Sequence, residues 1–436
     1  MWFCFFSFFL ARGLNAQDNF HFIKFDFPRS TSKLMYPALV EDVYQIRLGK
    51  LLWFAPGDQS ASLRRSLKDK IDSSTFMGLR KIKYHGEEIN ENVATVFSLQ
   101  DSLAGARMDR IFTDAAIAYC KDLYEGAGID KWMLYDELSG KSEKADNNYL
   151  VTNIAGILNA NDLLNFLYSL EPKDQEYELL KNKLLSASDS LSSSRKRQIA
   201  ISLNFYRWMH HFHFEKWIVV NIPSATLKYY EHNNLVLQMK VVVGKPSTRT
   251  LRFAANCNQV ILYPYWNVPR SIAIKELLPK IKRNPGYIDD LNMQLIDESG
   301  NIVNYHEFNW GKYNSNYFPF RLRQSTGCDN SLGVIKFNLT SPFSVYLHDT
   351  NYKGAFLSDR RFISHGCIRL EKPIELANYL LNNKIDSAFL TACMKNQEPV
   401  PINLDKLIPV FVTYQTAVAN DKGGVTFCRD VYGLLK

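Results

Sequence analysis

The chain lacks a run long enough to cross a bilayer. Its one strongly apolar stretch, residues 1–10, falls well short of the ~20 residues a helical span needs. It also lacks the paired Cys-x-x-Cys or His-x-x-x-His spacings that structural zinc sites prefer. No nucleic-acid-binding motif and no internal repeat stand out. Charge is in modest supply: 52 Lys and Arg against 44 Asp and Glu leave +8 over 436 residues. That suits an anionic envelope surface at least as well as a nucleic acid. Cysteine is scattered, at positions 4, 120, 257, 328, 367, 393 and 428. With Cys4 and Cys367 set aside for reasons given below, the remainder is odd. A complete disulfide framework is therefore not expected, most of these cysteines read as buried thiols, and a single bridge stays open.

What is present first is a leader-like start. The apolar run to Leu10 is followed by Ala11 to Ala16, which resembles a secretory h-region with a cut after Ala16, although the usual basic n-region is missing. The reading is a signal-like segment over 1–17, a helical domain over 18–210 and a mostly-β domain over 211–436. The length has room for two or three domains and a sizeable core. Phe (28) and Tyr (23) are abundant, which favours β-structure and aromatic-lined grooves.

The helical half shows stripes at residues 36–53, 109–124, 161–168 and 177–185, with a Ser-rich stretch at 186–194. A further helix opens at Arg195-Lys-Arg197, a cluster that reads as a solvated face. From Trp217 the pattern turns to strands: Trp217–Ile222, Leu235–Val243 after a hairpin-like turn at 231–234, Val260–Tyr263, and a closing strand Ile408–Tyr414. A helical pattern covers Ile272–Ile281.

The chemistry concentrates in Val345-Tyr-Leu-His-Asp-Thr350 and Ser364-His-Gly-Cys-Ile-Arg-Leu370. A cysteine attacks as its thiolate, and a neighbouring imidazole can take the thiol proton. Cys367 and His348 fit those two roles. Period-2 alternation puts Tyr346 and His348 on one strand face, with Val345 and Leu347 on the other. Gly366 permits positive φ or a close backbone approach, and its N–H with that of Cys367 could face an oxyanion. A helix expected over Glu371–Leu381 would bring its N-terminus toward the sulfur. His348, His365 and Cys367 as zinc ligands, or Cys367 as a core thiol, are the plainer readings. Lys336 reads as a solvated strand lysine ahead of a contact to a substrate carboxylate.

On these residues the chain resembles the L,D-transpeptidases with a YkuD-type catalytic domain. The shared signature is a His, a mid-teens gap, then Ser/Thr-His-Gly-Cys, an apolar residue and Asn or Arg, here ending in Ile368-Arg369. Trp266-Asn-Val-Pro269, Asn284-Pro-Gly-Tyr287 and the series Gln324, Gly327, Asn330, Leu332-Gly333, Lys336-Phe337 resemble the larger, YcbB-like periplasmic members. Arg207-Trp208 resembles the end of their helical scaffold. One departure is Ser247-Thr-Arg-Thr250, where that family usually has Thr-Pro.

The resemblance implies an α+β chain, with a mainly helical scaffold followed by a mostly-β catalytic domain carrying a mobile cap near 277–324. It implies a cell-envelope enzyme of peptidoglycan biosynthesis in the periplasm, exported by an N-terminal signal, with no cofactor or metal. It would form 3→3 cross-links between donor and acceptor peptide stems through a Cys367 thioester and would be inhibited by carbapenem-type β-lactams. His365, Gly366, Ser364, Arg369 and Tyr346 would serve the oxyanion and substrate. A water-using cysteine carboxypeptidase or endopeptidase, and a non-catalytic wall-binding protein, are the alternatives. Such scaffolds often hold a small peptidoglycan-binding module, and no stretch here reads as one.

Overall fold

The structure, a computed structural model, describes residues 33–91, 102–139, 143–420 and 422–435. The leader-like segment at 1–17, with Cys4, lies outside the described residues. The fold is α+β, helical first and mostly β afterwards.

Among the described residues the first half is built largely by α1 Pro37–Ile46, α2 Asp58–Asp72, α3 Ser102–Lys121, α4 Glu143–Gly156, α5 Ala160–Leu170, α6 Gln175–Ser186 and α7 Ser193–His210. The cause is clearest in α5. Leu163, Phe166, Leu167 and Leu170 recur at helical spacing and are buried, and the Asn159 side chain caps the start by accepting from Asn161 and Asp162 N–H. The stripe expected over 36–53 is shorter. Leu48 and Gly49 take φ of 54° and 75°, so α1 ends at Ile46, and a helix not anticipated begins at Asp58.

Eight strands form the closed ring of the second half: β1 Lys216–Asn221, β2 Thr226–Glu231, β3 Asn234–Gly244, β4 Phe253–Leu262, β5 Ile335–Leu339, β6 Leu347–His348, β7 Ile368–Leu370 and β8 Val400–Thr413. The order β4-β8-β1-β2-β3-β7-β6-β5 closes on itself, because β5 also pairs with β4. Only β6–β7 and β8–β1 run parallel within this ring. Alternation drives one apolar set inward, including Val220, Leu227, Val241, Val260, Phe337, Leu347, Ile368 and Val410. Strand β2 had no expectation in the sequence; Lys228 and the two tyrosines of Leu-Lys-Tyr-Tyr blur its alternation.

The two halves share a core. Tyr177, Leu180, Leu203 and Trp208 from α6 and α7 pack with Trp217, Val219, Ala254 and Phe411 on the outer face of the strands. Trp208 meets Phe411 edge-to-face at 5.0 Å. Arg207 beside it is fully buried and donates to Met77 O (2.7 Å), Asn204 Oδ1 (2.9 Å) and Tyr177 Oη (2.9 Å). The basic cluster opening α7 is not simply solvated: Arg195 stacks over Phe427, and Arg197 donates to Leu435 O.

Between β4 and β5 the chain makes a piece with its own apolar core, drawn from Val268, Ala273, Leu278, Ile288, Leu295, Trp310, Phe318 and Leu322. A three-stranded sheet, Trp266–Asn267, Arg321–Gln324 and Met293–Ile296, forms its floor. A disulfide, Cys328–Cys393, ties the chain just after this piece to the segment before β8. The cysteine count alone left a bridge open and could not choose its partners.

The bridge spans 65 residues, and on chain-entropy grounds such a loop is worth about 4 kcal/mol. Cys393→Ser is expected to lower the denaturation midpoint by the equivalent of roughly 2–4 kcal/mol. Wild-type protein in dithiothreitol should move to the same midpoint; coincident curves with and without reductant would show that the bridge contributes nothing.

Candidate active site

Register places the sequence motif. In the parallel pair β6–β7, Leu347 lies opposite Ile368 and His348 opposite Arg369, and Ile368 N–H donates to Tyr346 O (3.1 Å). In the antiparallel pair β5–β6, His348 lies opposite Lys336. Leu347, Ile368 and Phe337 fill the core, so their alternates face outward together. Lys336, His348 and Arg369 thus form one row across three strands, with Tyr346 and Cys367 one step along on the same face. Loop residues Ala355 and Phe356 cover Val242 beside them.

His348 is 4% exposed, and its Nδ1 lies within hydrogen-bonding distance of Asp349 O. A carbonyl only accepts, so Nδ1 carries the proton and Nε2 is left as the acceptor. Burial, then the Arg369 and Lys336 charges, push the imidazole down to about 3 against the pull of the Asp349 carbonyl. Burial raises the Cys367 thiol, opposed by the Tyr346 N–H and hydroxyl and by Lys336 and Arg369. The resting pair is therefore neutral thiol and neutral imidazole. The thiol donates to Ser344 O at 3.5 Å, and no hydrogen bond joins it to His348 among the described residues.

The Tyr346 hydroxyl lies between the Cys367 sulfur and the Trp266 side chain, and burial raises its pKa well above the usual phenol range. Lys336 Nζ sits 4.4 Å from the Tyr346 ring centroid. Lys336 is only partly solvated: it is half-buried over the Tyr346 ring, and burial lowers its pKa.

Three expectations need correction. Gly366 does take positive φ, 122°, but its N–H donates to Ser364 Oγ (3.1 Å) and is not free for an oxyanion. Ser364 is 2% exposed and spends its hydroxyl on Gly366 N–H and Cys367 O (2.6 Å), so it shapes the loop and does not reach a substrate. The helix after the motif starts only at Pro373, because Ile368–Leu370 is strand. Three extended residues carry the chain about 10 Å from Cys367 before the helix begins, beyond the first-turn range of its dipole. His365 is exposed and pairs with Glu276 Oε1 at 2.7 Å, joining the Cys367 loop to the helical part of the inserted piece.

Sequence reasoning also missed the loop's supports. Thr250 Oγ1 donates to Gly366 O (2.8 Å) and accepts from Gly244 N–H (2.8 Å), while Thr248 Oγ1 donates to Ser364 O (3.1 Å). These lie in the very segment that departs from the family pattern. Their signal was two threonines after a Gly-Lys-Pro turn, too common to single out.

A thiol and an oriented imidazole thus share one face of adjoining strands beside the inserted piece, an arrangement suited to nucleophilic chemistry. Residues 215–402 match the L,D-transpeptidase catalytic domain of the YkuD family, and residues 38–184 match a Scaffold domain. A Haemophilus influenzae protein provisionally described as an L,D-transpeptidase is 30% identical over 413 residues, covering 92% of this chain and 79% of its own. The chain belongs to the L,D-transpeptidase family, with a Scaffold domain preceding the YkuD domain. Solved relatives include an L,D-transpeptidase from Mycobacterium smegmatis, 15% identical with a TM-score of 0.23, where the match spans 46% of this chain and 58% of that one. Another is the ertapenem-acylated catalytic domain from Enterococcus faecium, 13% identical with a TM-score of 0.21, spanning 45% of this chain and 96% of that one.

Because the thiolate is the reactive form and burial raises the thiol pKa, alkylation of Cys367 by iodoacetamide should keep accelerating with pH beyond the range where a free cysteine levels off. Cys120 and Cys257, both 0% exposed, should stay unmodified in the folded protein. Peptide mass spectrometry across a pH series reads both; a plateau near neutrality would mean the thiol is activated at rest.

Proposed function

We propose that the chain is a peptidoglycan L,D-transpeptidase of the cell envelope, acting in the periplasm through Cys367 as nucleophile and His348 as base. The observation that carries this reading is the pairing register, which sets His348, with its tautomer chosen by Asp349 O, on the same outer face as Cys367. Cys367 Sγ attacks the carbonyl at the L-centre of a donor stem, and its proton passes to His348 Nε2. The C–N bond to the terminal D-residue breaks, and that amine leaves with the proton from His348. A side-chain amine of an acceptor stem then attacks the thioester, passes a proton through His348, and restores the thiol as the new amide forms. The product is a 3→3 cross-link.

The resting bond from the thiol to Ser344 O must be exchanged for one to His348 during this cycle. The inserted piece over residues 266–324 touches the site through Trp266 and Glu276 and would act as its cap, limiting the access of competing water.

Muropeptide products decide the reaction. Purified protein with tetrapeptide stems should give cross-linked dimers, whereas trimmed monomers would indicate water as acceptor and no change would indicate a silent protein. Cys367→Ala should remain folded and make no dimer. His348→Ala should lose about 10²–10⁴-fold in turnover. His365→Ala should lose less, because its side chain braces the loop against Glu276 from an exposed position; a larger loss there would reverse the assignment of the base.

A thiolate able to attack an amide carbonyl should also open a strained lactam. A carbapenem should add its mass to the Cys367 peptide and to no other, with the rate rising with pH as for alkylation. Intact and peptide mass spectrometry reads the adduct; modification of Cys428 with Cys367 untouched would refute the nucleophile.

A further inference from the structure

Two cations stand beside the nucleophile without a counter-ion. Lys336 and Arg369 flank His348 in one row across β5, β6 and β7. Among the described residues neither makes an ion pair or a side-chain hydrogen bond, and both are only half-buried. The charge that favours each cation is the Cys367 sulfur. The neighbouring carboxylates are engaged elsewhere. Asp349 binds Lys353 and accepts from Val334 N–H (3.0 Å), Glu276 holds His365, and Glu371 accepts from Lys240 N–H (2.9 Å).

Half-buried, unpaired cations next to a reacting centre are costly unless an anion joins them. Among the described residues the charge facing both cations is the Cys367 sulfur, which leaves the pair able to take an anion brought by a substrate.

We propose that Lys336 and Arg369 form a carboxylate subsite that recognises the free α-carboxylate of the donor's terminal, departing residue. The inference rests on the transpeptidase reading and adds the feature by which the donor is chosen. Standard bond lengths put a carboxylate on the residue after the scissile amide about 3–5 Å from the attacked carbon. Side chains one and two positions away on the same sheet face, the length of lysine and arginine, span that reach. Arginine's fork matches a carboxylate in two-point fashion, and lysine supplies a point charge.

The subsite also bears on the base. Both cations disfavour a proton on His348. A bound carboxylate neutralises them and makes the imidazole a better acceptor only when a donor with a free end is seated. When that residue leaves, the carboxylate leaves with it, so the acceptor amine approaches a site that has recovered its positive field.

The test separates binding from turnover. Cys367→Ala protein is titrated calorimetrically with a tetrapeptide stem ending in a D-residue as the free acid, and with the same peptide as its carboxamide. The acid should bind about tenfold or more tightly, the scale of a charge-assisted contact. Adding Lys336→Met or Arg369→Met to that protein should collapse the acid-to-amide ratio toward one, and Lys336→Arg should restore much of it. In the cysteine-containing protein the same substitutions should raise KM for the acid more than for the amide. Equal affinity for acid and amide, or a ratio that survives both substitutions, overturns the subsite. Acid-selective binding with no cross-linked product would sink the transpeptidase reading and keep the subsite, whereas cross-linking without acid preference would do the reverse. Because the ratio is taken within each variant, a general loss of folding cannot imitate the expected result.

Discussion

Strands β6 and β7 lie parallel and in register, with Leu347 opposite Ile368 and both at 0% exposure in the barrel core. Each such side chain contributes about 1.5–3 kcal/mol by leaving water. A slip of one residue would turn both outward and bring His348, Arg369 and Cys367 into the core, so apolar burial guards the register. The chemistry occupies the face that this burial leaves over. Lys336, Tyr346, His348, Cys367 and Arg369 meet because their alternates cannot be anywhere but inside.

The electrostatic character of that face follows from its composition. Three strands contribute two cations, an imidazole, a phenol and a thiol, and the nearby carboxylates are all engaged with other partners. The site is therefore poised away from reaction at rest, with thiol and imidazole both neutral. A protonated, half-buried cysteine is less open to adventitious oxidation than a thiolate, since susceptibility follows thiolate character and exposure. Activation then depends on what enters the cleft.

The surrounding structure holds the Cys367 loop from several directions. Thr248 and Thr250 grip it from the segment after β3, Ser364 closes it on itself, and His365 ties it to the inserted piece. Tyr432, near the chain's C-terminal end, donates to Gly244 O (2.6 Å) and so supports Thr250's loop from behind. The disulfide fixes the exit of the inserted piece, and α7 with its buried Arg207 fixes the barrel's outer face to the helices. A substitution far from Cys367 can thus reach it through few contacts.

The helical first half, the strand-rich second half and the placing of His348 and Cys367 on one face were legible in the sequence, because helical and alternating periodicities and a short His-Gly-Cys loop are local signals. The alternation of Val345, Tyr346, Leu347 and His348 even assigned faces correctly. Where local signals conflict or are missing, tertiary structure decided. The end of α1 depends on positive φ at Leu48 and Gly49, β2 on pairing with both neighbours, and the Cys328–Cys393 bridge on an approach across 65 residues. The commitment of Gly366 N–H to Ser364, the distance from Cys367 to the helix at Pro373, and the exposure of unpaired Lys336 and Arg369 beside the thiol are likewise properties of the folded chain. They arise from hydrogen bonds and charges between residues far apart in sequence or set by loop conformation, and no periodicity or spacing encodes which groups are left without a partner.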